Sequence, residues 1–160
     1  VRLDNMNISQ ISEITNYINS LRLTHLSPGL TYSSEISNIS SKWADELSDN
    51  NIFKHSNNSL YGENLAVRGG SIIKDDIVSN IKYSIDQWYE EIKFYDFTKP
   101  QFSPSTGHFT ALVWADSKKY GIAYKYNPKL KKYVVVMNIS PPGNVQNKYR
   151  ENVLKGNKRK

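Results

Sequence analysis

The sequence predicts an α+β fold, with helices in the first two thirds of the chain and strands in the last third. Apolar residues recur every three or four positions up to about residue 93, which is the period of an amphipathic helix. Beyond residue 107, β-branched and aromatic residues gather in short runs that are typical of strands. Helices and strands that are separated along a chain favour helices packed on an antiparallel sheet.

The composition predicts one domain over residues 1–160. A chain of this length with 38% apolar residues can build one hydrophobic core. The absence of cysteine excludes a disulfide scaffold, thiol catalysis and a thiolate metal site. The net charge of +6 favours acidic partners, and part of it lies in a basic tail that we expect to be flexible from about residue 155. No nucleic-acid-binding module is present, so we expect no nucleic-acid partner.

Three amphipathic helices are predicted before residue 94. The first ends before Ser27-Pro28-Gly29, the second has Ser33 or Ser34 as its N-cap, and the third runs over about 74–93. The apolar residues of the three stripes are Ile11, Ile14, Ile18 and Leu21, then Ile36, Ile39, Trp43 and Leu47, then Ile77, Ile81, Ile85, Trp88 and Ile92.

Three strands are predicted after the helices, over residues 109–114, 120–126 and 133–139. The last two are joined by Asn127-Pro128-Lys129, which predicts a hairpin turn. Residues 53–70 are polar, rich in turn formers and end in two glycines, so we interpret them as an irregular connection. Long connections of this kind are often functional.

Helical phase separates the adjacent acids Glu90 and Glu91. At about 100° per residue, Glu90 falls on the solvated face and Glu91 lies beside Trp88 at the edge of the apolar stripe. A carboxylate at that margin needs a partner, because burying an unpaired charge costs several kcal/mol. His108 is a candidate for that partner.

The histidines are His25, His55 and His108. Each one, taken alone, is expected to be a surface imidazole or a hydrogen-bonded structural one. His25, near the end of the first helix, has no feature that distinguishes it. Glu63 follows Gly62, a residue that allows close approach of the backbone.

Several ordered blocks of the sequence resemble the CAP superfamily, also called the SCP-like or pathogenesis-related-1-like domain. Residues 107–114 (Gly-His-Phe-Thr-Ala-Leu-Val-Trp) are similar to the first CAP signature, and residues 135–145 are similar to the second. Residues 53–56, 62–66 and 88–93 match further family blocks. The resemblance is to the cysteine-free branch, which includes Golgi-associated and bacterial SCP-domain proteins.

Individual residues both support and depart from the family pattern. Asn19 and Arg22 fit the pattern of the first helix. Met137 stands where many secreted members have a cysteine, and Ile139 stands where they have an aromatic residue. Ala111 replaces a glutamine that is common in the first signature, which implies a less polar cleft floor.

The resemblance implies an α-β-α sandwich, with a central antiparallel sheet between helical layers and a cleft on one side. The two histidines and two acids that line the family's cleft map to His55, Glu63, Glu91 and His108. His55 and His108 are thereby candidate ligands of Zn²⁺ or another divalent cation, with Glu63 or Glu91 in support. The alternative is a hydrogen-bonded polar cluster that stabilises the cleft without metal.

Two functions remain open at this stage. One is a non-enzymatic binding module that engages a lipid or sterol, an anionic membrane surface, a divalent metal, or a host or matrix protein through the cleft and nearby loops. The other is a metal-dependent, protease-like hydrolase that uses the same four residues, although no nucleophile motif is present.

A location outside the cell is also expected. The family's secretory habit and the absence of an initiator methionine lead us to expect a secreted or cell-surface protein. A cell-surface protein of this kind would be a bacterial outer-surface lipoprotein whose anchor cysteine lies upstream of this chain.

Overall fold

The computed structural model describes residues 6–156, so the last part of the predicted basic tail, residues 157–160, lies outside the described residues. Helices and strands alternate in the order α1 (Ile8–Thr24), β1 (Thr31–Tyr32), α2 (Ser34–Asp49), β2 (Gly62–Gly69), α3 (Ile77–Tyr89), α4 (Gly107–Val113), β3 (Lys119–Asn127), β4 (Lys132–Ser140) and α5 (Tyr149–Asn152). Short 3₁₀ turns follow β2 at Gly70–Ile72 and α3 at Glu90–Phe94.

Side-chain caps begin the three long helices. The side chain of Asn7 accepts from the amide of Gln10 at 2.8 Å, and Gln10 accepts in return from the amide of Asn7 at 2.9 Å, which forms a capping box for α1. Ser33, one of the two predicted caps, begins α2. Asp76 begins α3, so this helix starts a few residues later than the sequence predicts.

The sheet among the described residues contains four strands in the order β1-β3-β4-β2. Strand β4 lies between β3 and β2 and pairs antiparallel with both, and β3 and β4 form the predicted hairpin. The two-residue β1 pairs parallel to β3. The predicted α+β sandwich is therefore confirmed, but the sheet is mixed rather than wholly antiparallel.

Helices cover both faces of the sheet. Helix α2 packs on one face, while α1, α3 and α4 pack together on the other. Side chains alternate along β4 because successive residues of a strand point to opposite faces. Val134 and Val136 face the core under α2, whereas Val135, Met137 and Ile139 face the larger core.

Two assignments made from the sequence are wrong. Residues 109–114, predicted as a strand, belong mostly to helix α4, whose residues 109–113 are all buried and so show no exposed face with a helical period. Residues 62–69, predicted as irregular, form strand β2, which pairs with β4 along its whole length. The two adjacent polar residues Glu63 and Asn64 interrupt the apolar pattern from which a strand is predicted. Their side chains instead make specific hydrogen bonds in the folded protein.

Arg22 lies fully buried where α1 meets α4 and the approach to β3. Its Nε donates to the carbonyl of Pro28 at 2.8 Å, its Nη1 to Leu112 at 3.0 Å and its Nη2 to Ser117 at 3.3 Å. Burial lowers the pKa of Arg22 to about 10. The guanidinium therefore joins three chain segments through their carbonyl oxygens.

Replacing Arg22 with methionine should lower the free energy of unfolding by about 3 kcal/mol or more, because three buried carbonyls lose their donors at about 1–3 kcal/mol each. Urea unfolding measures the loss. Arg68→Met is the matched control, since within residues 6–156 the Arg68 guanidinium donates only to the carbonyl of its neighbour Val67 and lies over the ring of Tyr83, and this variant should lose about 1 kcal/mol or less. Equal losses in the two variants would contradict a special role for Arg22.

Candidate functional site

The four site residues predicted from the sequence come from four separate segments. His55 lies in the connection before β2, Glu63 in β2, Glu91 in the 3₁₀ turn after α3, and His108 in the first turn of α4. The structure arranges them as two histidine–glutamate pairs, His55 with Glu63 and His108 with Glu91.

The Glu63 carboxylate holds the first pair in place. It accepts from Nδ1 of His55 at 2.9 Å, from the amide and hydroxyl of Ser56 at 2.9 and 2.6 Å, and from the side chain of Asn138 at 3.3 Å. Burial raises the pKa of Glu63, but these hydrogen bonds to the ionised form outweigh it and hold the pKa below its usual range. Glu63 is therefore an ionised acceptor that fixes the ring of His55.

Glu91 holds the second pair and also begins helix α4. Its Oε2 accepts from Nδ1 of His108 at 2.8 Å, and its Oε1 accepts from the amides of His108 and Phe109 at 2.8 and 3.1 Å. Those amides are the ones that an N-cap side chain normally satisfies, and the N-cap residue Thr106 makes no such bond. Glu91 thus acts as the N-terminal cap of α4 in place of Thr106, and it also orients the ring of His108.

The two pairs are connected through strand β2. Asn64 follows Glu63 in the chain, and its side chain donates to the carbonyl of His108 at 3.1 Å. The ring of His108 also stacks on Trp88, with the centroids 6.2 Å apart and the planes 20° apart. His55 is therefore anchored through Glu63 of β2, and His108 through Asn64 of the same strand, Glu91 and Trp88.

Each carboxylate fixes the tautomer of its histidine. An ionised carboxylate only accepts hydrogen bonds, so Nδ1 of each imidazole carries the proton. Within residues 6–156, Nε2 of His55 and Nε2 of His108 have no hydrogen-bond partner. The side chains are 60% and 36% exposed respectively. In the form of the ring that carries its proton on Nδ1 alone, Nε2 can accept a hydrogen bond or bind a metal ion.

The donor set fits part of a zinc site. An imidazole whose Nδ1–H is held by a carboxylate is a common zinc ligand, but tetrahedral zinc takes four ligands and catalytic sites usually take three from the protein. Among the described residues, no group of three or more His, Cys, Asp or Glu side chains could hold a metal ion. If His55 and His108 both bound one ion, they would supply two ligands, and the remaining positions would belong to water or a partner.

The hydroxyl nearest to the first pair is not arranged as a nucleophile. The Oγ of Ser56 donates to Oε2 of Glu63 at 2.6 Å. A serine nucleophile would instead donate to an imidazole nitrogen that serves as its base. This hydrogen bond supports the structure of the connection before β2 and leaves the imidazole of His55 without a catalytic partner.

His25 is a buried structural residue. Its Nδ1 donates to the carbonyl of Leu154 and its Nε2 accepts from the hydroxyl of Tyr89, both at 2.8 Å, and its ring packs edge-on against Phe109. Burial lowers the pKa of His25. Both ring nitrogens are occupied, so this histidine joins α1, α3 and the C-terminal segment rather than the site.

Sequence reasoning missed the asparagines that support the site. Asn138 bonds Glu63, Asn64 bonds His108, and Asn144 accepts from the hydroxyl of Thr110 at 2.6 Å. Asn138 and Asn144 lie in the block 135–145. The similarity of this block to a family signature was the one signal in the sequence that could have identified them. Nothing in the spacing of an isolated asparagine predicts a contact across the fold.

Comparisons with known proteins agree with the fold and with these sequence blocks. A family model described as CAP, the cysteine-rich secretory protein family, matches residues 15–139. The human Golgi-associated plant pathogenesis-related protein 1 is 34% identical over 148 residues, which cover 89% of this chain and 91% of the human protein.

Further relatives differ in length or show the fold alone. Salivary antigen-5 of Triatoma infestans is 34% identical over 132 residues. This match covers 74% of this chain and 53% of the salivary protein. The solved structure of BmVAL-1 has a TM-score of 0.75 at 17% identity, covering 96% of this chain and 84% of that one. At that identity, the likeness concerns the fold.

The variant Glu91→Gln should change the tautomer of His108, because an amide oriented by the α4 backbone does not hold the Nδ1 proton as a carboxylate does. Ring ¹⁵N shifts should show an Nδ1-protonated His108 in the wild type and a mixture of tautomers in the variant. Stability should fall by about 1–3 kcal/mol, as for a lost cap and hydrogen bond. Glu90→Gln, an exposed neighbour, is the control and should change neither. Unchanged ¹⁵N shifts in Glu91→Gln would refute this role of Glu91.

Proposed function

The chain belongs to the CAP, or cysteine-rich secretory protein, family, and from that premise we propose that it is a non-enzymatic binding protein. Its ligand contacts Nε2 of His55 and Nε2 of His108. One observation carries the proposal: each imidazole is oriented through Nδ1 by a carboxylate, its Nε2 has no hydrogen-bond partner in the described part of the chain, and its side chain is exposed to solvent.

The geometry favours binding over hydrolysis. A general base is effective only within reach of the group that it deprotonates, and the hydroxyl of Ser56 is committed to Glu63. Both carboxylates are occupied by backbone amides and imidazoles, so neither is free to activate water. The four residues therefore hold two acceptor nitrogens in place, which serves recognition.

A divalent cation such as Zn²⁺ is the first ligand that we propose for this cleft. Neutral imidazole is a preferred zinc ligand, and the carboxylates of Glu63 and Glu91 increase the basicity of the rings that they hold. When bound there, the ion would supply a Lewis-acidic position for an oxygen atom of a partner. His55 and His108 bind, while Glu63 and Glu91 orient.

A lipid or sterol is the second candidate, because an exposed aromatic ring lies against the residue that precedes His108. The exposed ring of Phe102 packs against Gly107, where an added Cβ would lie 3.0 Å from the ring. A sterol could place its apolar body on Phe102 and donate its hydroxyl to Nε2 of His108. The net charge of +6 supports binding to an anionic membrane surface, and a host or matrix protein remains a third class of partner.

We propose that the protein acts outside the cell, as a secreted or surface-attached protein, including the form of an outer-surface lipoprotein. The salivary relative supports export. Within residues 6–156, none of the helices has the length and hydropathy of a membrane span. Protease treatment of intact cells that make the full-length protein should remove it. Complete protection would contradict this location.

Calorimetric titration of Zn²⁺ into metal-stripped protein tests the cleft directly. We expect saturable binding by the wild type and its loss in the double variant His55→Ala/His108→Ala, because both nitrogen ligands are then absent. Glu90→Ala, on the exposed face beside Glu91, is the control and should bind as the wild type does. Zinc binding that survives in the double variant would place the ion elsewhere.

The same variants decide between the remaining ligands. If the wild type binds no zinc, labelled sterol and acidic-lipid vesicles at low salt are the next probes, and loss of binding in the double variant would support the cleft. Failure of zinc, sterol and vesicles alike would contradict the proposed function for these ligand classes. Metal-dependent cleavage of a peptide library that His108→Ala abolishes would indicate the hydrolase instead.

A further inference from the structure

A separate cavity lies between the end of α2, the residues that follow it and the β3–β4 hairpin. Its volume is about 140 Å³. Most of its wall is apolar, and the residues that form this apolar side are Leu47, Ile52, Phe53, Val67, Leu130 and Val134. Ile52, Phe53 and Leu130 are also exposed to solvent, so the cavity opens to the surface.

The cavity is distinct from the histidine–glutamate pairs. Glu63 lies near the start of β2, and Val67, which lines the cavity, lies four residues further along the strand. A strand rises about 3.3 Å per residue, so the backbones at these two positions are about 13 Å apart. The two sites therefore occupy opposite ends of the same strand.

One side of the cavity is polar and contains an unsatisfied hydroxyl. Ser48, which lines the cavity, is 6% exposed, and its Oγ has no hydrogen-bond partner within residues 6–156. Its carbonyl accepts from the side chain of Asn127 at 3.2 Å. A buried hydroxyl without a partner costs free energy, and a ligand atom in the cavity that accepted from it would remove that cost.

Lys132 adds a positive charge to the same side. Its Nζ donates to Oδ1 of Asn51 at 3.2 Å, and it forms no ion pair with a carboxylate in the described part of the chain. Asn127 and Lys132 face each other in the β3–β4 register. Ser48, Asn51, Asn127 and Lys132 thus form one polar margin beside the apolar wall.

We propose that this cavity binds a small organic carboxylate with an apolar tail. The Ser48 hydroxyl and the Lys132 ammonium are both donors, and a carboxylate is an acceptor with two oxygens that can take both. The apolar wall takes the tail, whose burial is favourable in proportion to its area. An apolar cavity of about 150 Å³ holds benzene, so the tail should contain about six carbon atoms.

The same chemistry predicts which molecules are rejected. An alkylamine of equal length would place its ammonium beside Lys132, and like charges repel. An alcohol lacks the charge that pairs with Lys132. Acetate has the carboxylate but no tail for the apolar wall.

Titration with hexanoate, followed by backbone amide shifts in ¹H–¹⁵N spectra, tests the proposal. We expect saturable shifts at residues 47–53 and 127–134, with hexylamine and acetate binding at least tenfold more weakly. Ser48→Ala and Lys132→Gln should each weaken hexanoate binding about tenfold, as expected for the loss of a hydrogen bond to a charged group. Ser48→Ala removes an unsatisfied hydroxyl, and Lys132 lies at the first position of β4, so both variants should fold.

The double variant His55→Ala/His108→Ala is the control that separates this site from the cleft. It should bind hexanoate as the wild type does, and Zn²⁺ should not change hexanoate affinity. The proposal is overturned if hexanoate causes no saturable shifts, or if the shifts cluster at His55 and His108. It is also overturned if hexylamine binds equally well, or if Ser48→Ala and Lys132→Gln both leave the affinity unchanged.

Discussion

Helix α4 is held at both ends by side chains from distant parts of the chain, and the geometry around His108 depends on this. Glu91 accepts from the first amides of the helix, and Arg22 donates to the carbonyl of Leu112 near its last residue. A helix of seven residues is too short to be stable alone. The position of His108 therefore follows from these two contacts, and the carboxylate that begins the helix is also the one that orients the ring.

The sequence predicts the long amphipathic elements well because each has one exposed face. The stripe of α3 separates Glu91 from Glu90, and the structure shows Glu91 bonded to His108 and Glu90 paired with the exposed Lys93. Helix α4 gives no such signal, since its residues 109–113 are all buried and its cap comes from Glu91, which lies before the loop that precedes the helix. Local patterns cannot report a cap that tertiary contacts supply.

Local sequence patterns also fail to predict the site in strand β2 and in the connection before it. Glu63 interrupts the alternation expected of a strand, since its carboxylate collects hydrogen bonds from Ser56, His55 and Asn138. His55 lies in a segment without regular structure, so neither period nor spacing could pair it with Glu63. From the sequence, only the resemblance of its blocks to a known family predicts that His55 and Glu63 belong to the same site.

The protein thus combines a packed sandwich with two imidazoles that are each held through Nδ1 by a carboxylate. Of its three histidines, His55 and His108 present Nε2, while His25 is 1% exposed and uses both nitrogens. Diethyl pyrocarbonate acylates accessible, unprotonated imidazole nitrogens, and peptide mass mapping after mild treatment of the folded protein would locate the product. We expect modification at His55 and His108 with His25 protected. Rapid modification of His25, or protection of both other histidines, would contradict the arrangement of two held imidazoles with open Nε2 atoms.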